Sequence, residues 1–290
     1  MIEDIQKKVK RIELVTRKVM DEMLTGGYKS HFRGQGVQFS EHRAYTHGDD
    51  IRHIDWKVSA RSKEPLLKQY EEERELNVFI IADLSASLEF GSKKAFKKDL
   101  VAELGAVISY AASMSGDRVG VLIVTQEVKK IIPLKKGRNH VLRIIRDLLS
   151  FQTEPGGTNL KQAFEEASHL MKHSGIVFVL SDFRAENYEK PLKQLARKHD
   201  VVAIQIEDPL EYSFGKVGPI TIFDPETQQE ITFNPQAYSF NSEFNKAKSE
   251  FEIKTKQTLS HSGVEILKVN THEDYVDRLL RFFKKRKKKK

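Results

Sequence analysis

The chain has no cysteine. Disulfides and thiolate zinc sites are therefore excluded, and a reducing cytoplasm is the expected compartment. Long apolar runs are missing too. No window approaches the roughly 18 to 20 apolar residues that a bilayer-spanning helix needs. The opening stretch, MIEDIQKKVKRIELVTRKVM, is charged and amphipathic and lacks the apolar h-region of a signal peptide. Several catalytic signatures are also absent. There is no Gly-x-Ser-x-Gly elbow, no His-Glu-x-x-His and no Walker A loop, so ATPase activity is expected only of a partner. RGQGVQF carries Gly34 and Gly36 but no third glycine and no preceding strand, which leaves a phosphate-loop reading weak.

What is present fits a water-soluble globular chain. It has 290 residues, 39% apolar and 31% charged, enough to bury a sizeable core. The pI near 9.3 first suggests nucleic acid. Most of that basicity lies in Lys284 to Lys290, KKRKKKK; without these seven charges the formal net charge falls from +8 to +1. Residues 284–290 thus read as a solvated basic tail. The functional alternative is contact with an acidic partner, RNA or an anionic lipid surface, helped by Arg281, Phe282 and Phe283 on an amphipathic helix. Nucleic acid is disfavoured by the near-neutral body and the lack of a recognition motif.

Along the chain, residues 1–25 read as an amphipathic helix, with Ile2, Ile5, Val9, Ile12, Val15, Val19 and Met23 at helical spacing. Residues 26–76 are rich in Gly, His, Arg and Asp. From 77 to 283, apolar runs at 77–83, 119–125, 176–182, 201–207 and 264–269 alternate with amphipathic stretches. Helices are expected from Ser92 to about Ser115-Gly116, and over 138–150, 159–173, 187–199, 235–260 and 272–284. Strands apolar throughout and joined by crossover helices mean a doubly wound α/β domain with a mostly parallel sheet. GVLIVTQEVKKIIPL adds an antiparallel edge strand at 128–134. ITIFDPETQQEITF reads as a hairpin insertion near 217–234, turning at Asp224-Pro225-Glu226-Thr227.

NVFIIADLSAS carries the chemistry. In an open parallel sheet, ligands bind beyond the carboxyl ends of the strands, and Asp83 stands at such an end. Asp-x-Ser-x-Ser supplies one carboxylate and two hydroxyls, oxygen ligands suited to a hard cation. Thr158 in PGGTNL and Asp182 at the end of IVFVLSDF lie at further loop and strand ends. The bland alternative is that Ser85 and Ser87 only cap a helix. A haloacid-dehalogenase reading would need a second aspartate where Ser85 stands. Glu89 is the one nearby candidate base for a metal-dependent hydrolase.

The set Asp83, Ser85, Ser87, Thr158 and Asp182 resembles the metal-ion-dependent adhesion site of von Willebrand factor A domains. That resemblance implies Mg²⁺, with Mn²⁺ or Ca²⁺ as alternatives. The hydroxyls would bind directly, the aspartates directly or through water, and a partner carboxylate would take the open position. Ala86 stands where many members have glycine, and Leu88 where methionine is common.

RAYTHGDDIRHIDWKVSAR, between FRGQGVQF and LLKQYEEERE, resembles the signature of the bacterial family called domain of unknown function 58. The resemblance covers most of residues 25–215 and the DPETQQE hairpin. It implies an accessory or adaptor role with a MoxR-type AAA+ ATPase or its client, in assembling or maturing protein complexes; the leading expectation is a non-enzymatic interaction module with no small-molecule substrate. Within the signature, Arg43, Tyr45, Asp49, Asp50, Arg52, Asp55, Trp56 and Arg61 are too polar for a simple strand; the Asp and Arg residues are expected to form a hydrogen-bonded ion network anchored by Trp56, with a partner-facing surface as the alternative. Replacing Arg52 or Asp55 should then cost stability. His42, His47 and His53 match no compact zinc spacing.

Overall fold

The computed structural model describes residues 11–12, 16, 38–62, 64–71, 75–91, 96–212, 218–224 and 229–288. The N-terminal helix expected over 1–25 lies mostly outside them. Residues 11, 12 and 16 are helical, and the Thr16 hydroxyl donates to the Ile12 carbonyl at 2.7 Å. Gly34 and Gly36, the Ser92 cap and the turn at Pro225 to Thr227 also lie outside the described residues.

Two compact units divide the chain: residues 29–76, and residues 1–28 with 77–290. In the smaller unit, strand β1 (Gln38–Ala44) pairs antiparallel with β2 (Leu66–Glu71), and helix α1 (Trp56–Ser62) lies between them in sequence. Its buried apolar residues include Ile54 and Leu67, which form an isolated bridge. Trp56 is 68% exposed, so it is not the apolar anchor the sequence suggested. It opens α1 on the outer side, while Ile54 two residues earlier turns inward. Arg43 clamps Asp49 through two hydrogen bonds of 2.7 and 2.6 Å. Arg52 pairs with Asp50 in the open, 86% exposed. The Asp55 carboxylate accepts from the Val58 amide in the first turn of α1, and its other oxygen lies 3.1 Å from His42 Nε2.

The larger unit is built on a six-stranded sheet. Its strands are β3 (Asn77–Asp83), β4 (Arg118–Val124), β5 (Val128–Lys135), β6 (Ile176–Ser181), β7 (Asp200–Glu207) and, after a separate hairpin β8 (Ile220–Asp224)–β9 (Gln229–Phe233), β10 (Glu265–Asn270). The spatial order is β10-β7-β6-β3-β4-β5. All neighbours are parallel except β5, which runs antiparallel beside β4. This is the expected doubly wound architecture with one antiparallel edge strand. Strands β3 and β6 are buried almost end to end because helices cover both faces.

One face packs Phe79, Ile81, Val177, Val179 and Ala203 against helices α4 (Leu160–Leu170) and α5 (Glu189–Lys198), with Leu259 of α6 (Tyr238–His261) in the same cluster. On the other, Gly105 of α2 (Lys97–Met114) comes close to Leu180 and Ile80, and to Leu148 of α3 (Arg138–Leu149). A Cβ on Gly105 would stand 2.9 Å from a Leu148 methyl, so the glycine permits this close approach.

The C-terminal helix α7 (Tyr275–Lys288) corrects the tail reading. Phe283 is buried and meets the Phe178 ring edge-on at 6.4 Å. One turn on, Arg286 forks onto Asp200 at 2.8 and 2.6 Å and reaches Glu265 at 3.2 Å. Helical periodicity thus returns part of the basic run to the folded body, against the first residues of β7 and β10. Lys289 and Lys290 lie outside the described residues.

Candidate metal centre at the strand ends

Strand β3 delivers Asp83 to the carboxyl edge of the sheet, paired in register with Val124. The next amide, Leu84 N–H, still donates to Val124 O at 2.9 Å, so the loop starts from a fixed point. One Asp83 oxygen accepts from the Ser85 amide at 3.0 Å and the Ser85 hydroxyl at 2.6 Å. The other accepts from the Ser181 hydroxyl, at the end of β6, at 2.5 Å. Ser85 Oγ lies 3.2 Å from Ser87 Oγ and accepts from the Thr158 hydroxyl at 2.6 Å.

Thr158 arrives from a loop tied down on its far side. Asn159 N–H donates to Thr125 O at 2.8 Å, and the Asn159 side chain caps α4 by accepting from Gln162 N at 3.0 Å. Gly156, at φ 139°, allows the loop to pass Gln126; a Cβ there would meet the Gln126 amide oxygen at 2.6 Å.

The structure therefore brings Asp83, Ser85, Ser87 and Thr158 into one cluster of oxygens. Neighbouring ligands around an octahedral Mg²⁺ at about 2.0–2.1 Å stand about 3 Å apart. The spacings of 2.6 to 3.2 Å between successive oxygens span that edge and are equally the lengths of the hydrogen bonds that link them; the donor types, one carboxylate and three hydroxyls, are those a hard cation takes. Among the described residues no group of three or more His, Cys, Asp or Glu side chains could hold a metal. This donor set is mostly hydroxyl.

Asp182 follows β6 and is also buried, but both of its oxygens are already engaged. One accepts from the Arg184 amide at 3.1 Å, and the other takes the Lys97 ammonium at 2.8 Å. Phe183, between them, holds φ at 59°, a left-handed conformation that is uncommon for a bulky residue. Its amide donates to Ser181 Oγ at 2.9 Å, so that hydroxyl links the turn to Asp83.

Three participants escaped the sequence reading: Ser181, Lys97 and Glu211. Lys97 opens α2 and is 0% exposed; its ammonium also reaches Glu211 at 2.7 Å, just beyond β7. Glu211 is held in turn by a capping box with Asp208. Nothing local marks Lys97 among the lysines of SKKAFKKDL, because its partners are 85 and 114 residues away. Glu89 pairs with Lys98 at 2.5 Å.

The electrostatics follow from burial. Burial, reinforced by the charge of Asp182, pushes the Asp83 carboxyl up to about 7, against the lowering effect of the Ser181 and Ser85 hydrogen bonds. For Asp182 burial acts upward as well, but the Lys97 charge and hydrogen bond win and lower its pKa. Burial pulls Lys97 down, yet Asp182 and Glu211 together hold its pKa above the ordinary lysine value. Asp83 is thus the carboxylate of the pair with no cation bonded to it among the described residues.

Five parallel strands, an antiparallel edge strand and an Asp-x-Ser-x-Ser loop at a strand end define a von Willebrand factor A-like domain. A family model described as "Protein of unknown function DUF58" matches residues 41–253, and the chain belongs to that family. It is similar to the uncharacterized protein Rv1480 of Mycobacterium tuberculosis, with 28% identity over 284 residues, covering 96% of this chain and 89% of that one. The uncharacterized protein YeaD of Bacillus subtilis is 28% identical over 134 residues, 46% of this chain and 31% of its own. Among solved structures, the SpRpn10 VWA domain matches with a TM-score of 0.40 and 12% identity, over 72% of this chain and 95% of that one. Proximal thread matrix protein 1 from the mussel byssus matches with a TM-score of 0.36 and 17% identity, over 46% of this chain and 37% of its own.

Proposed function

We propose that this protein is a non-enzymatic adaptor that docks a partner through a metal held at the strand ends. The observation that carries this reading is the packing of four oxygens from two segments far apart in sequence, the loop after β3 with Asp83, Ser85 and Ser87 and the loop before α4 with Thr158. A bound Mg²⁺ would supply one electrophilic position for a carboxylate on the partner. The chain's own residues would hold the ion, Asp83 by charge and the three hydroxyls by their lone pairs, with Asp182 close by.

The resemblance to the domain of unknown function 58 family suggests the partner: a MoxR-type AAA+ ATPase or its client, during assembly or maturation of a protein complex. Mg²⁺ is the leading ion, ahead of Mn²⁺ and Ca²⁺. No helix among the described residues is long and apolar enough to cross a membrane.

The test is a pull-down with the full-length protein as bait, run with Mg²⁺, with chelator and with Asp83→Ala. The reading expects an ATPase or its client retained by the wild type with Mg²⁺ and lost in both other arms. Equal retention in all three arms would contradict it.

A further inference from the structure

The strand-end site contains a charge that a metal-binding reading does not need. Lys97 is fully buried, and a buried ammonium is costly unless it is paired on all sides. Here it is paired twice, with Asp182 at 2.8 Å and with Glu211 at 2.7 Å. Arg184 adds a second cationic group 3.4 Å from Glu211. These four side chains form a closed set, two positive and two negative. Asp83 stands outside it; among the described residues its partners are hydroxyls and an amide.

We infer that Lys97 is a positioning residue of the candidate metal centre: it claims Asp182 as an ion-pair partner, leaves Asp83 as the one carboxylate free to meet a divalent cation, and so makes the loaded site selective for an anionic group. The inference rests on the metal-bridged reading above and deepens it. The charge count is direct. A divalent ion facing Asp83 alone retains one unit of positive charge, because Lys97 has already neutralised Asp182. In a buried site that surplus is poorly screened by water, so it draws a carboxylate to the open position. Without the ammonium, two carboxylates would neutralise the ion, and the site would bind metal well and anions poorly.

Geometry supports the same division. The hydroxyls of Ser85, Ser87 and Thr158 are linked to one another and to Asp83. Asp182 joins a different set: its oxygens face Lys97 and the Arg184 amide. Lys97 also bonds Glu211, so it ties the start of α2 to the ends of β6 and β7.

The test uses Mn²⁺ as probe, with electron paramagnetic resonance titration of the full-length protein, with and without acetate. Wild type, Asp83→Asn, Asp182→Asn and Lys97→Met are compared, and melting curves report folding. The expected result is a loss of about a hundred-fold in Mn²⁺ affinity for Asp83→Asn and a change within about three-fold for Asp182→Asn. Lys97→Met should bind Mn²⁺ about ten-fold tighter or more, because it frees Asp182, and should lose the tightening that acetate gives the wild type. A gain of affinity cannot come from damaged folding. If Lys97→Met fails to fold, Asp182→Asn decides alone, since Lys97 keeps Glu211 as its partner. Asp182→Asn losing as much as Asp83→Asn would overturn the role of Lys97 while leaving the metal site standing. No Mn²⁺ binding by the wild type would overturn both.

Discussion

Thr158 donates its hydroxyl hydrogen to Ser85 Oγ across 2.6 Å, although 73 residues separate them in sequence. The contact joins the loop before α4 to the loop after β3. It completes an oxygen cluster that neither loop could make alone.

Thr158→Val keeps the shape and removes the oxygen. Metal affinity should fall by at least about ten-fold, while the melting temperature stays near that of the wild type. Isothermal calorimetry with Mg²⁺ and a thermal scan measure both. Collapse of the fold would mean that the hydroxyl serves the structure instead.

Gly175 precedes β6 at a tight crossing. An added Cβ would stand 2.3 Å from the Asn77 carbonyl oxygen, a backbone atom with little freedom to move. Gly175→Ala should cost about 1–3 kcal/mol in chemical denaturation. Gly105→Ala should cost less, because the nearest atom is the end of a Leu148 side chain and alanine favours the helix.

His199 closes α5, with both ring nitrogens buried and with no hydrogen-bond partner among the described residues. Burial, helped by Lys198, lowers its pKa below the ordinary value of 6.5. The folded state therefore binds this proton less readily than the unfolded chain. Its stability contribution is present above pH 6.5 and is lost as pH falls below that value, until the folded-state pKa is passed. His199→Phe should flatten this part of the stability profile, measured by urea unfolding at pH 5, 6 and 7. An unchanged slope would show that His199 is not its source.

Trp56 is the chain's one tryptophan, which makes it directly observable. Its fluorescence should be that of a water-exposed indole, and Trp56→Ala should cost under about 0.5 kcal/mol. Arg52→Ala should be equally mild, because exposed ion pairs contribute little. A blue-shifted emission would contradict the exposed placement.

Arg286 separates a tail from a helix end. Its fork onto Asp200 is largely shielded, so Arg286→Ala should cost about 1 kcal/mol in thermal or chemical unfolding. A freely solvated tail would show no change.

Much of this architecture is legible in the sequence. The runs at 77–83 and 176–182 are apolar without alternation, which only a sheet covered on both faces can use. Asp83 is visible because it ends such a run. Lys97, Trp56 and Arg286 were not legible. A buried lysine looks like any other until distant carboxylates surround it. A lone tryptophan looks like an anchor until its helix turns it outward. A basic run looks like a tail until its period places one arginine over an aspartate. In each case long-range geometry overrides local composition.

The most direct test of the metal-bridged account is calorimetric titration of Mg²⁺ into the metal-free full-length protein beside Asp83→Asn. The account predicts saturable one-site binding in the wild type and none in the variant, with both proteins folded. Equal binding by the two, or no binding by the wild type, would contradict it.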